Sequence, residues 1–112
     1  MTRTEEKARF IAALLACYPD KSPETLASVA TSLYRASATL SRLYEKTCSV
    51  EMSERQAAKH EAHETRIEEN VKRACASLGL PVEIDGDPRN AQVKVKLPQG
   101  KGNGYEPGIW YI

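Results

Sequence analysis

Five consecutive residues, Gly86-Asp87-Pro88-Arg89-Asn90, combine an acceptor, a rigid turn former and a planar cation. Pro88 presets a turn dihedral, Gly86 permits positive φ, and Asp87 can hydrogen-bond its own backbone. Chain reversal alone accounts for these residue types. Held rigidly, Asp87 and Arg89 would also form a donor–acceptor pair for a ligand or partner. Arg89 could offer a planar fork to a carboxylate or phosphate, with Asn90 beside it.

A second candidate surface follows in Gln99-Gly-Lys-Gly-Asn-Gly104. The glycines superficially suggest a phosphate cradle, yet the Walker pattern is absent and no helix follows to supply its dipole. A flexible loop is the favoured reading. Lys101 could still touch an anionic partner, and Asn103, Tyr105 and Trp110 are grouped with it as candidate contacts.

His60, Glu61, His63 and Glu64 cluster within one helix. The zincin pattern needs histidines four apart with glutamate directly after the first, and here the histidines are three apart. A solvated helix face is expected, with no metal or other cofactor. Cys17, Cys48 and Cys75 are odd in number and lack Cys-x-x-Cys spacing, so they read as small apolar fillers. Cys17 and Cys75 are expected at the same end of the helical layer. Neither histidine has a Ser or Cys partner at an interpretable spacing, so the chain is read as a non-enzyme.

Elements must position these residues, and the chain changes period once, near Gly79. A first helix is expected over about 4–17, with Ala8, Ile11, Leu15 and Tyr18 on one face and Phe10 and Leu14 adjoining. That wide apolar surface predicts a largely buried helix, ended by Pro19. A second opens with Ser22 as N-cap, Pro23 at the first position and Glu24 at the positive dipole end. Its stripe runs Leu26, Val29, Ala30, Leu33, Tyr34, Ala36, Leu40, Leu43 and Tyr44, interrupted by Ser37.

The third helix opens with Ser53 and Gln56 at capping-box spacing and closes at Gly79, with Leu80 packing back and Pro81 blocking continuation. From Glu54 to Leu78 it would be roughly 38 Å long. Its first half is polar, and projects from the core or meets another copy. Beyond Pro81 the period is two. Val82 and Ile84 oppose Glu83 and Asp85, while Val93, Val95 and Leu97 oppose Lys94 and Lys96. Two acidic and two basic side chains should therefore meet across one hairpin. Residues 108–112 add a third strand with Trp110 and Ile112 on one face. The expected class is α+β: two to three N-terminal helices, then a small antiparallel three-stranded sheet, in one domain over residues 1–112.

The chain has 112 residues with 16 Lys plus Arg against 15 Asp plus Glu, a net charge of +1. A domain built to grip nucleic-acid backbone usually carries a clear basic excess, so nucleic acid is disfavoured as partner. The apolar run from Phe10 to Tyr18 is too short to span a bilayer, and no signal-peptide context precedes it. A cytosolic address and no membrane partner are expected.

With these residues in view, the chain resembles a group of small bacteriophage and prophage proteins of uncharacterised function. The resemblance runs from Leu43-Tyr44-Glu45 and Cys48 through Leu78-Gly79-Leu80, Gly86-Asp87-Pro88-Arg89 and Val93-Lys94-Val95-Lys96-Leu97-Pro98 to the Gly/Asn loop and terminal strand. It covers about sixty per cent of the chain. Many relatives carry glycine where this chain has Asn90, and Asn tolerates the left-handed geometry of such a turn. The resemblance implies a phage accessory gene product and supplies no catalytic assignment. The leading expectation is a non-enzymatic protein that binds a host or defence component, either a protein or a small anionic ligand. The alternatives are a nucleic-acid-associated phage protein using Lys94, Lys96, Lys101, Tyr105, Trp110 and Tyr111, and an assembly protein acting through helix association as a homo-oligomer.

Overall fold

Helix α1 (Arg3–Cys17) begins directly after the threonine that caps it: the Glu5 amide donates to Thr2 Oγ1 at 3.2 Å. The computed structural model describes residues 2–47, 53–85 and 92–112. Helix α2 (Pro23–Thr47) starts as its cap residues require, with the Thr25 amide donating to Ser22 Oγ at 3.2 Å. Helix α3 (Glu54–Ala76) opens with a complete capping box. The Gln56 amide donates to Ser53 Oγ, and the Ser53 amide donates to Gln56 Oε1 at 3.0 Å.

Helix α3 ends two residues before the expected Leu78, because the last turn tightens into a Schellman motif. The Leu80 amide reaches back to Cys75 O at 3.3 Å and the Gly79 amide to Ala76 O at 3.2 Å. Gly79 takes φ +64°, a left-handed conformation costly for a residue with a Cβ.

Three strands follow: β1 (Val82–Asp85), β2 (Gln92–Lys96) and β3 (Ile109–Tyr111), antiparallel in the order β1-β2-β3. The α+β expectation is met: three helices, then a three-stranded antiparallel sheet. Glu83 sits opposite Lys94, but Asp85 sits opposite Gln92. Only one of the two expected acid–base pairs is therefore in register. Lys96 lies beyond the start of β1, where its amide donates to Pro81 O.

Helix α2 packs against both α1 and α3, and the sheet closes the core against α2 and α3. Val93, Val95 and Leu97 point inward from the central strand and are fully or almost fully buried, while Lys96 on the other face is exposed. Tyr18 Oη donates to Leu78 O at 3.0 Å, tying the end of α1 to the end of α3. Cys17 and Cys75 do lie at that same end: both are free thiols, and both act on the Tyr18 hydroxyl electrostatically.

Helix α1 is buried less broadly than its apolar content implies. Phe10 and Leu14 are fully buried, Ile11, Leu15 and Tyr18 only half so, and Ala8 is exposed. Phe10 and Leu14, one turn apart, take the contact line and leave the Ala8 face outward. Ser37, which breaks the α2 stripe, is itself buried and accepts a hydrogen bond from Arg3 Nη2 at 3.2 Å.

An aromatic cluster joins three elements. Phe10 of α1 packs 5.3 Å from the Trp110 ring of β3, edge to face, and 6.3 Å from the Tyr34 ring of α2. The Arg3 guanidinium lies 4.7 Å over Tyr34. Burial pushes the Tyr34 hydroxyl pKa up to about 12, from 10.0, with Glu6 adding to the rise and Arg3 opposing it. The Tyr34 hydroxyl has no hydrogen-bond partner among the described residues, and a buried polar group left unpaired costs about 1–3 kcal/mol.

Tyr34→Phe is therefore expected to raise stability by up to about 1 kcal/mol in urea unfolding at pH 8. Because the folded pKa lies above the unfolded one, the neutral phenol stabilises below pH 10 and that contribution is lost as pH rises towards 12. The advantage of the variant should accordingly widen between those limits. An identical alkaline decline in both proteins contradicts this.

Candidate functional site

Asp87, Arg89 and Asn90 lie outside the described residues. Lys101 is exposed and forms no ion pair among the described residues. Trp110 is 6% exposed and its ring is committed to Phe10, so it is not available for stacking on a nucleic-acid base.

Asn103 serves the sheet. Its side chain accepts from the Tyr111 amide and donates to Tyr111 O, both at 2.8 Å, and its own amide donates to Ile109 O. It thus clasps the outer edge of β3, which would otherwise present unpaired backbone groups to another strand. The Gly-rich segment is a loop, as expected, and it is hydrogen-bonded to β3 through Asn103. Gly100 and Gly108 take φ +95° and +77°.

Tyr105 is the exposed large aromatic of this loop. It borders a shallow depression with Asn103, Tyr111, Gln92, Glu6 and Glu106. Among the described residues, two carboxylates and no cation line it.

The histidine cluster divides between two sides of α3. On one side Tyr44 Oη donates to Glu64 Oε2 at 2.9 Å, and the His60 ring meets the Tyr44 ring edge to face at 4.8 Å. These contacts fasten α3 to α2. No group of three or more metal-ligating side chains is present among the described residues.

His63 faces the other way, into a groove between α2 and α3 of about 690 Å³. One wall carries Arg35 and Arg42 from α2, and the other carries Arg66 and His63 from α3. Ala36, Leu43 and Ile67 supply apolar lining, with Ser32, Thr39 and Asn70 between the charges. No carboxylate of a described residue lines the groove. None of the three guanidinium groups forms an ion pair with a described residue. Arg42 Nε donates to Ala38 O at 3.4 Å, and Thr39 Oγ1 donates to the backbone O of Arg35 at 3.0 Å.

The chemistry is specific. Guanidinium groups stay charged at all relevant pH and present forked donors that match carboxylates and phosphates. Three of them beside apolar surface can hold a ligand that is anionic on its flanks and apolar along its middle. Sequence reading missed this site because Ala36 and Leu43 were assigned to the buried stripe. Both are only half-buried and sit at its edge. The available signal was the spacing of Arg35 and Arg42, seven residues apart on one helix face beside that stripe. No protein-family model matches the chain, and no significant match exists among curated proteins or solved structures.

Proposed function

We propose that this is a non-enzymatic binding protein whose α2–α3 groove receives an acidic segment of a partner protein. The observation that carries the reading is the groove itself: three arginines that form no ion pair with a described residue, no carboxylate of a described residue in the lining, and apolar side chains between them. The exposed guanidinium groups give specificity and steering, while the apolar lining contributes the area-dependent part of the affinity. The resemblance to phage and prophage proteins supports a phage accessory role, with a bacterial host protein as that partner. Near-neutral net charge sets it apart from a protein that grips nucleic-acid backbone.

Poly-L-glutamate is the simplest probe of the groove. Binding at low salt is expected for the wild-type chain, weakening as salt rises. The double substitution Arg35→Glu and Arg42→Glu should reduce affinity at least tenfold, with an unchanged circular dichroism spectrum, because both positions are exposed on α2. Equal binding by both proteins would place the anion site elsewhere and sink the assignment.

A further inference from the structure

The length and charge spacing of the groove restrict what form the acidic segment takes. Along α2 the lining runs from Ser32 to Leu43, about 16 Å at the helical rise. Along α3 it runs antiparallel to this, from His63 to Asn70, about 10 Å. A trough of this form between two antiparallel helices is where a third helix packs, with axes 8–10 Å apart when the contact residues are small. Ala36 and Thr39 between the arginines, and Ser32 one turn before Arg35, are small and lie on the same face of α2.

Charge spacing points the same way. Arg35 and Arg42 are seven residues apart, so their Cα atoms are separated by about 10.5 Å along the axis and by only about 20° around it. A helix laid along the trough repeats its own face at that same interval, so carboxylates at positions i and i+7 meet both cations. An extended strand does not. Its side chains return to one face every second residue, at about 6.7 or 13 Å, out of step with the arginine pair. Arg66, on the opposite wall, matches a carboxylate on the other flank of a docked helix.

Resting on the groove reading above, we propose that the occupant is an acidic amphipathic α-helix of the partner protein. It docks as a third helix, with carboxylates seven residues apart on Arg35 and Arg42, one opposite Arg66, and an Ala/Leu face on Ala36, Leu43 and Ile67.

Three probes test this by fluorescence anisotropy at low salt. The first is a helical peptide of about 21 residues, long enough to hold helix in isolation, with Glu rows seven residues apart flanking an Ala/Leu face. The others are poly-L-glutamate of equal charge, which is unfolded at neutral pH, and single-stranded oligothymidylate. The helical peptide should bind the wild-type chain about tenfold or more tighter than poly-L-glutamate, and Arg42→Glu and Arg66→Glu should each abolish that margin. Equal affinity for peptide and poly-L-glutamate overturns the helix assignment and leaves the anion groove standing. Tighter binding of oligothymidylate through the same arginines overturns the protein partner as well. Binding of none of the three removes the groove reading itself.

Discussion

Phe10→Ala is expected to lower stability by about 3–5 kcal/mol, the usual cost of emptying a fully buried aromatic site. Phe10 has no exposed surface and is the contact through which α1 meets both Tyr34 of α2 and Trp110 of β3. Removal forfeits its transfer free energy, both ring–ring contacts and the filling of the space between two other large rings. Those rings also carry Tyr34 Oη and Trp110 Nε1, buried and without a partner among the described residues, so relaxation into the cavity is restricted by polar atoms. For a chain of 112 residues the loss corresponds to a melting-temperature drop of about 12–20 °C. A drop below about 3 °C by calorimetry would mean that α1 is not anchored through this side chain.

Gly102→Ala is the second large effect, through backbone crowding. A Cβ at residue 102 would overlap the carbonyl of Ile109 and lie 2.8 Å from Glu106 O, and neither backbone group can rotate away. The loop must therefore lift from β3. Lifting breaks the bond from the Asn103 amide to Ile109 O and strains both bonds between the Asn103 side chain and Tyr111. At about 0.5–1.5 kcal/mol for each hydrogen bond lost, the expected destabilisation is about 2–4 kcal/mol. Amide exchange at Tyr111 should accelerate with it, since that amide is held by the Asn103 side chain. Unchanged protection at Tyr111 contradicts the account. Gly104 offers the contrast: a Cβ there meets only the Tyr111 ring at 3.3 Å, and the ring can yield.

The fold was readable where a local rule acts through a few neighbouring residues. Ser53 with Gln56, Ser22 with Pro23, and Gly79 with Leu80 each settle a helix end by satisfying backbone groups within a turn. The alternation of Val93, Val95 and Leu97 named the inward face of β2 for the same reason. Reading failed where position depends on what packs opposite. Trp110 shares a phase with Ile112, but only the assembled sheet shows that this phase faces Phe10. Asn103 looked like a ligand contact because a polar residue among glycines carries no mark of the strand edge it will clasp. The groove was least visible of all. Arg35 and Arg42 lie on one helix and Arg66 on another, and only the rotation of the α2–α3 hairpin brings them to a shared trough. A stripe of apolar residues likewise does not reveal which of its edges stays half-covered, as at Ala36 and Leu43.

The groove reading rests on unpaired cations at defined positions, so it is tested most directly residue by residue. Titrating isotope-labelled protein with poly-L-glutamate and following backbone amides and arginine Nε–H signals by nuclear magnetic resonance separates the possible anion sites. Shifts concentrated at Arg35, Arg42, Arg66 and the neighbouring Ala36 and Ile67 amides, abolished by the double substitution at Arg35 and Arg42, are the predicted result. Shifts concentrated at Lys94, Lys96 and Lys101, or spread evenly over all surface cations, contradict it.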